Sequence, residues 1–77
     1  MSDAENRSDP RLRPGDRSIL AFLDAEGAEY PAIVANRIGM HAPRVEERCE
    51  ALADAGLIEA VSDEVVYRVT RQGQRRL

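Results

Sequence analysis

Lysine and tryptophan are missing altogether, and cysteine and phenylalanine occur once each. A lone cysteine, Cys49, closes no internal disulfide and builds no thiolate metal cluster; at an apolar-patterned position it reads as a small hydrophobe. No run approaches the roughly 18 apolar residues of a membrane span, and the polar start lacks the apolar stretch of a secretory signal, so a soluble, cytoplasmic protein is expected with no membrane partner. No nucleophile-base pair, phosphate-cradling glycine loop or metal-spaced ligand set is found. Neither an enzyme, a cofactor, a metal site nor a small-molecule ligand is therefore expected. With 77 residues the core is small, and a convex surface for a partner is easier to support than a deep dry cavity. Binding is favoured over catalysis.

The missing lysine is a signal in its own right, because all 11 basic residues are arginines, set against 14 acids for a net charge of −3. With abundant alanine and acid, this bias reads as a high-GC, salt-adapted microbe, a halophilic archaeon. A net acidic chain is a poor match for a polyanion at ordinary salt. In molar salt the Debye length shrinks to roughly 3 Å, and short-range hydrogen bonds and fit must carry recognition instead.

Along the chain, residues 1–15 are polar, carry Pro10, Pro14 and Gly15, and show no apolar face; they are expected to be a disordered head. Residues 16–77 form the domain. Asp16 is placed to cap a first helix, whose Ile19, Leu20, Phe22 and Leu23 recur at helical spacing until Gly27 stops it. Residues 28–30 are extended, since Tyr30 precedes proline, and can add a third short strand. Pro31 opens a second helix through Val34, Ala35 and Ile38 to Gly39. After Met40 and His41, Pro43 opens a third helix, in which Val45, Cys49 and Leu52 make one buried face before Gly56. Leu57, Ile58 and Val61 read as a strand, Ser62, Asp63 and Glu64 as a turn, and Val65, Val66, Tyr67 and Val69 as the returning strand. Thr70 can cap a short final turn containing Gly73, weak by itself.

The informative stretch is residues 34–56. Ala35 falls where one helix must approach the next closely, and Gly39 supplies a turn that a side chain would obstruct. Val34, Ile38, Met40 and Val45 fill the wedge between the helices. Any three-helix domain buries residues at such spacing, but few folds add Leu52, Gly56, Leu57 and Ile58 and then a hairpin of wing length. The expected class is α+β, mainly α: a winged helix-turn-helix with a three-helix core and a β-hairpin wing.

On Arg48 and Cys49, the run Ala51, Leu52, Ala53, Asp54, Ala55, Gly56, Leu57, Ile58, Glu59, and the closing Val66, Tyr67, Arg68, Val69, Thr70 with Gly73, the chain resembles the halophage repressor-like winged-helix regulators of halophilic archaea. More distantly it resembles bacterial and archaeal winged-helix repressors. The resemblance covers residues 16–77 and implies a sequence-specific, double-stranded DNA-binding regulator, a repressor by kinship, whose third helix reads bases and whose wing touches the backbone or minor groove. Most of the matching residues are structural and identify a fold better than a target.

The outward face of the third helix starts with His41, Ala42 and Arg44 and continues through Glu47, Arg48 and Ala51; such a face enters the major groove. Arg44 and Arg48, one turn apart, reach guanine edges or phosphates, or else pair with neighbouring glutamates. Glu47 either accepts from a cytosine amino group or is a solvated acid. His41 is placed for a base or phosphate and has no second metal ligand at helical spacing. Arg37 and Arg68 are phosphate candidates or ordinary solvated charges, and Arg71, Arg75 and Arg76 can clamp DNA or a partner's acids. Glu46, Glu47 and Glu50 on the helix, with Asp63 and Glu64 on the wing, face phosphate badly. They keep open an alternative, a winged-helix module for protein contacts within a transcription or other assembly. A homodimer would let two copies span successive half-sites.

Overall fold

A computed structural model describes residues 11–77. Helix α1 (Asp16–Glu26) is followed by α2 (Pro31–Ile38), α3 (Ala42–Asp54), strands β1 (Ile58–Ala60) and β2 (Tyr67–Val69), and a short α4 (Arg71–Gln74). The apolar spacing read from the sequence becomes the core: Ile19, Leu20 and Leu23 of α1, Val34 and Ala35 of α2, Val45, Cys49 and Leu52 of α3, then Leu57 and Ile58, each 2% exposed or less. Ile38 and Met40 cover its edge half-buried. Glycine ends α2 because the chain turns through a left-handed conformation at Gly39 (φ 74°), and α3 then packs back against α2, where Ala35 is buried. No helix among the described residues is long and apolar enough to cross a membrane.

The start of α1 departs from expectation. Gly15, at φ 92°, is the N-cap, and Asp16 makes no capping bond to its own helix. Its carboxylate instead accepts the Arg13 backbone N–H at 2.7 Å and is completely buried, because it is drawn towards α3. Of the head expected at 1–15, residues 1–10 lie outside the described residues. Within 11–15, Leu12 packs against the core and the side chain of Met40 lies over Gly15; the packed domain therefore begins earlier than residue 16.

The hairpin is shorter than the sequence suggests. Ile58 pairs with Val69, Glu59 with Arg68 and Ala60 with Tyr67 in an antiparallel ladder, and one further bond, Val61 N–H to the Val66 carbonyl at 2.7 Å, closes it. Val65 leaves the expected strand and stands 61% exposed in the turn, where Ser62 takes φ 60°. The third strand reduces to one bridge, Glu29 with Tyr67, two bonds of 2.9 and 3.0 Å. It goes no further because Pro31, which has no N–H, already opens α2. Thr70 does cap α4, accepting from the Gly73 N–H at 3.1 Å and donating to the Gly56 carbonyl at 2.6 Å. Gly73 is obligatory there, since a Cβ would strike the Leu57 carbonyl oxygen and lie 2.8 Å from Val69 Cγ2.

Candidate nucleic-acid interface

Helix α3 carries the site, and its three buried residues fix which side chains point out. Val45, Cys49 and Leu52 face inward, so Glu47, two residues from Val45, must face away from the core, and its side chain is 76% exposed. His41 is the N-cap residue, extended at φ −69° and ψ 125°, with no side-chain capping bond. Its ring is therefore not consumed by the helix. Ala42 follows at the first helical position, half-buried and small, and Pro43 and Glu47 are exposed beside it. Among the described residues the leading end of α3 is thus shallow and uncovered.

The two flanks of α3 have opposite charge. On one edge lie Arg44 and Arg48, near Asp16 at the start of α1; on the other lie Glu46 and Glu50, which line a groove towards the wing. Arg44 has a side chain 41% exposed and approaches Glu47 only at 4.0 Å, too long for a firm hydrogen bond. It stays free to reach outward.

Arg48 does not. Its Nε donates to Asp16 Oδ1 at 2.9 Å and its terminal nitrogen to Oδ2 at 2.8 Å, a fork-to-fork pair with the arginine side chain 15% exposed and the aspartate fully buried. Burial pushes the Asp16 carboxyl up, but the Arg48 hydrogen bonds, the Arg13 N–H and the nearby arginine charges outweigh it and hold it below the ordinary carboxylate range. The same bond raises the guanidinium's own value, against its desolvation. The expectation of Arg48 as a second outward arginine is corrected accordingly: it is a buttress that ties α3 to α1. No local pattern could have revealed the pair, whose members stand 32 residues apart.

Arg37, exposed on α2, lies with its guanidinium carbon 5.5 Å from the centre of the Phe22 ring, which steadies it without covering its donors. Arg68 is directly opposite Glu59 on the wing and donates to it at 2.6 Å, with 60% of its side chain exposed. That cross-strand pair follows from the hairpin register and was legible once the turn was placed. Tyr30 was missed as more than an extended residue: its hydroxyl donates to Glu64, joining the start of α2 to the wing tip, and the bond raises the phenol's pKa. The Cys49 thiol, inward-facing, is pushed up to about 11 by burial, as befits a core side chain.

This arrangement of a helix-turn-helix followed by a two-stranded wing has known counterparts. A family model described as winged helix-turn-helix phage repressor matches residues 7–77. Among solved structures, the transcriptional repressor CouR, bound to p-coumaroyl-CoA, shares the fold with a TM-score of 0.73 and 22% identity over 94% of this chain. The present chain spans 59% of that one. No curated protein matches the sequence. Since the family match runs through both the helix-turn-helix and the wing, the chain belongs to the winged helix-turn-helix phage repressor family, a family of DNA-binding transcription regulators.

Proposed function

We propose that the chain represses transcription by sequence-specific binding of double-stranded DNA, with α3 entering the major groove from its N-terminal end. His41, Ala42, Arg44 and Glu47 face the base edges in this reading, Arg44 as a guanine or phosphate donor and Glu47 as an acceptor for a cytosine amino group. Arg37 and Arg68 hold the backbone on either side, and Arg48 acts indirectly by keeping α3 in place. The observation that carries the reading is the open leading end of α3, where Arg44 is half exposed beside the outward Glu47 and makes no short bond among the described residues. The all-arginine, acid-rich composition supports a halophilic archaeal source, and a cytoplasmic setting and a homodimer on two half-sites suit a DNA-binding fold. The acyl-CoA carried by CouR is a polyanion, and the groove beside α3 is lined by Glu46 and Glu50, so that ligand class does not enter the proposal.

The test is a footprint scan over random duplex at low and at molar KCl. Protection of one defined sequence under both conditions is the expected result. Uniform weak protection that vanishes with salt would overturn it in favour of the second reading, a protein-contact module, which the acidic edge of α3 and the Asp63 and Glu64 wing tip favour. Within the DNA reading, Arg44→Ala loses roughly 1–3 kcal/mol of binding and relaxes base choice at one position, with its melting temperature unchanged.

A further inference from the structure

Between the glutamate edge of α3 and the wing lies a groove of about 360 Å3, walled by Tyr30 and Pro31 at the start of α2, Glu46 and Glu50 on α3, and Val65 and Tyr67 on the wing. Three separate elements form it, and the bond from the Tyr30 hydroxyl to Glu64 links two of its walls. Its chemistry is mixed in one particular way. Two phenol rings, a proline and a valine give apolar walls with π-faces, while the charged groups lining it are both carboxylates. An anion is repelled by Glu46 and Glu50. A neutral apolar molecule leaves both carboxylates unused, and a hydrated inorganic cation gains nothing from the rings. What satisfies every wall is a cation with an apolar body, which the ring faces and the carboxylates attract together.

We propose that this groove is an effector site for a small organic cation, an alkylated or aryl-bearing ammonium or guanidinium. A bound cation neutralises the acidic edge of α3 and bridges α3 to the wing, so occupancy strengthens DNA binding, and DNA strengthens cation binding by the same factor. The regulatory half rests on the DNA-binding reading above; the binding half does not.

The molecule supplies its own reporter, since it has two tyrosines and no tryptophan and both tyrosines line the groove. Benzyltrimethylammonium chloride, titrated into the DNA-free protein at constant ionic strength, is expected to change tyrosine fluorescence saturably, and benzyl alcohol is not. Glu46→Gln/Glu50→Gln, both exposed positions, weakens the response about tenfold, and Tyr30→Leu weakens it about threefold, read through Tyr67. A response that is absent, equal for benzyl alcohol, or unchanged in the double glutamine variant overturns the site. On a footprinted duplex, saturating probe is expected to tighten binding several-fold in the wild type and not in the double variant; unchanged affinity overturns the coupling. Failure to bind any duplex, with the cation titration intact, would sink the DNA reading and leave the groove assignment supported.

Discussion

At the scale of single residues the decisive pair is Asp16 and Arg48. Asp16 is fully buried while the Arg48 side chain keeps 15% of its surface exposed, and removing Arg48 leaves the aspartate desolvated and unpaired, which costs about 3 kcal/mol. A domain this small has roughly 5 kcal/mol in total. Arg48→Met is therefore expected to lose most of its stability in urea unfolding, and adding Asp16→Asn to it should recover part of the loss, because the buried charge is then gone. If the double variant is no more stable than Arg48→Met alone, the pair is not the buttress described here. The acid side carries a signed consequence. Asp16 has a folded-state pKa below its unfolded one, so its contribution is whole above the ordinary carboxylate range near about pH 4 and drains away as pH falls through the lowered value. Urea midpoints for Asp16→Asn should start lower at neutral pH and fall less between about pH 5 and pH 2 than those of the wild type; parallel curves would refute the assignment.

Elements were legible in the sequence where periodicity or backbone chemistry decided them. The three helices follow from apolar residues at helical spacing with Pro31, Pro43, Gly27 and Gly39 at their ends, and the outward Arg44 and Glu47 follow from the inward Val45, Cys49 and Leu52. What stayed hidden depends on side chains meeting across the fold. Asp16 looks like a cap locally and becomes a core ion, and Tyr30 looks like a link and becomes a strut to the wing. Val65 has the composition of a strand residue but is lost to the turn, because a strand propensity reports only a fit to a pleated surface. Helix α4 is the sharpest instance. A glycine in a four-residue helix predicts weakness, yet Gly73 is what lets α4 lie against Leu57. Gly73→Ala, ordinarily favourable in a helix, is expected to destabilise by about 1–3 kcal/mol. A raised melting temperature would mean that α4 is not seated against Leu57 and Val69. Leu52→Ala, which empties a core position 2% exposed between α3 and the hairpin, is expected to lose about 2–5 kcal/mol; an unchanged melt would mean the register of α3 is wrong.

For the whole molecule the proposed binding of DNA has to be reconciled with a net charge of −3, and charge segregation supplies the means. Among the described residues the arginines given to DNA in the proposed reading are few: Arg44, Arg37 and Arg68, the last already paired with Glu59, since Arg48 is spent on Asp16. Acids meanwhile line the wing-side edge of α3. A binder built this way neutralises few phosphates and draws its affinity from short-range contacts, which salt screens least. Counterion release then gives a shallow dependence, with log K falling against log [KCl] with a slope of about −3 or less in magnitude per protomer, since each phosphate neutralised contributes about −0.9. Replacing Glu46 and Glu50 by glutamine removes two repulsive charges and raises affinity most at low salt, where screening is weakest. Titrations of a footprinted duplex from about 0.1 to 2 M KCl would measure both, and a slope several times steeper would mean that further arginines, such as Arg71 and Arg75, lie on the DNA and that the interface extends well beyond α3.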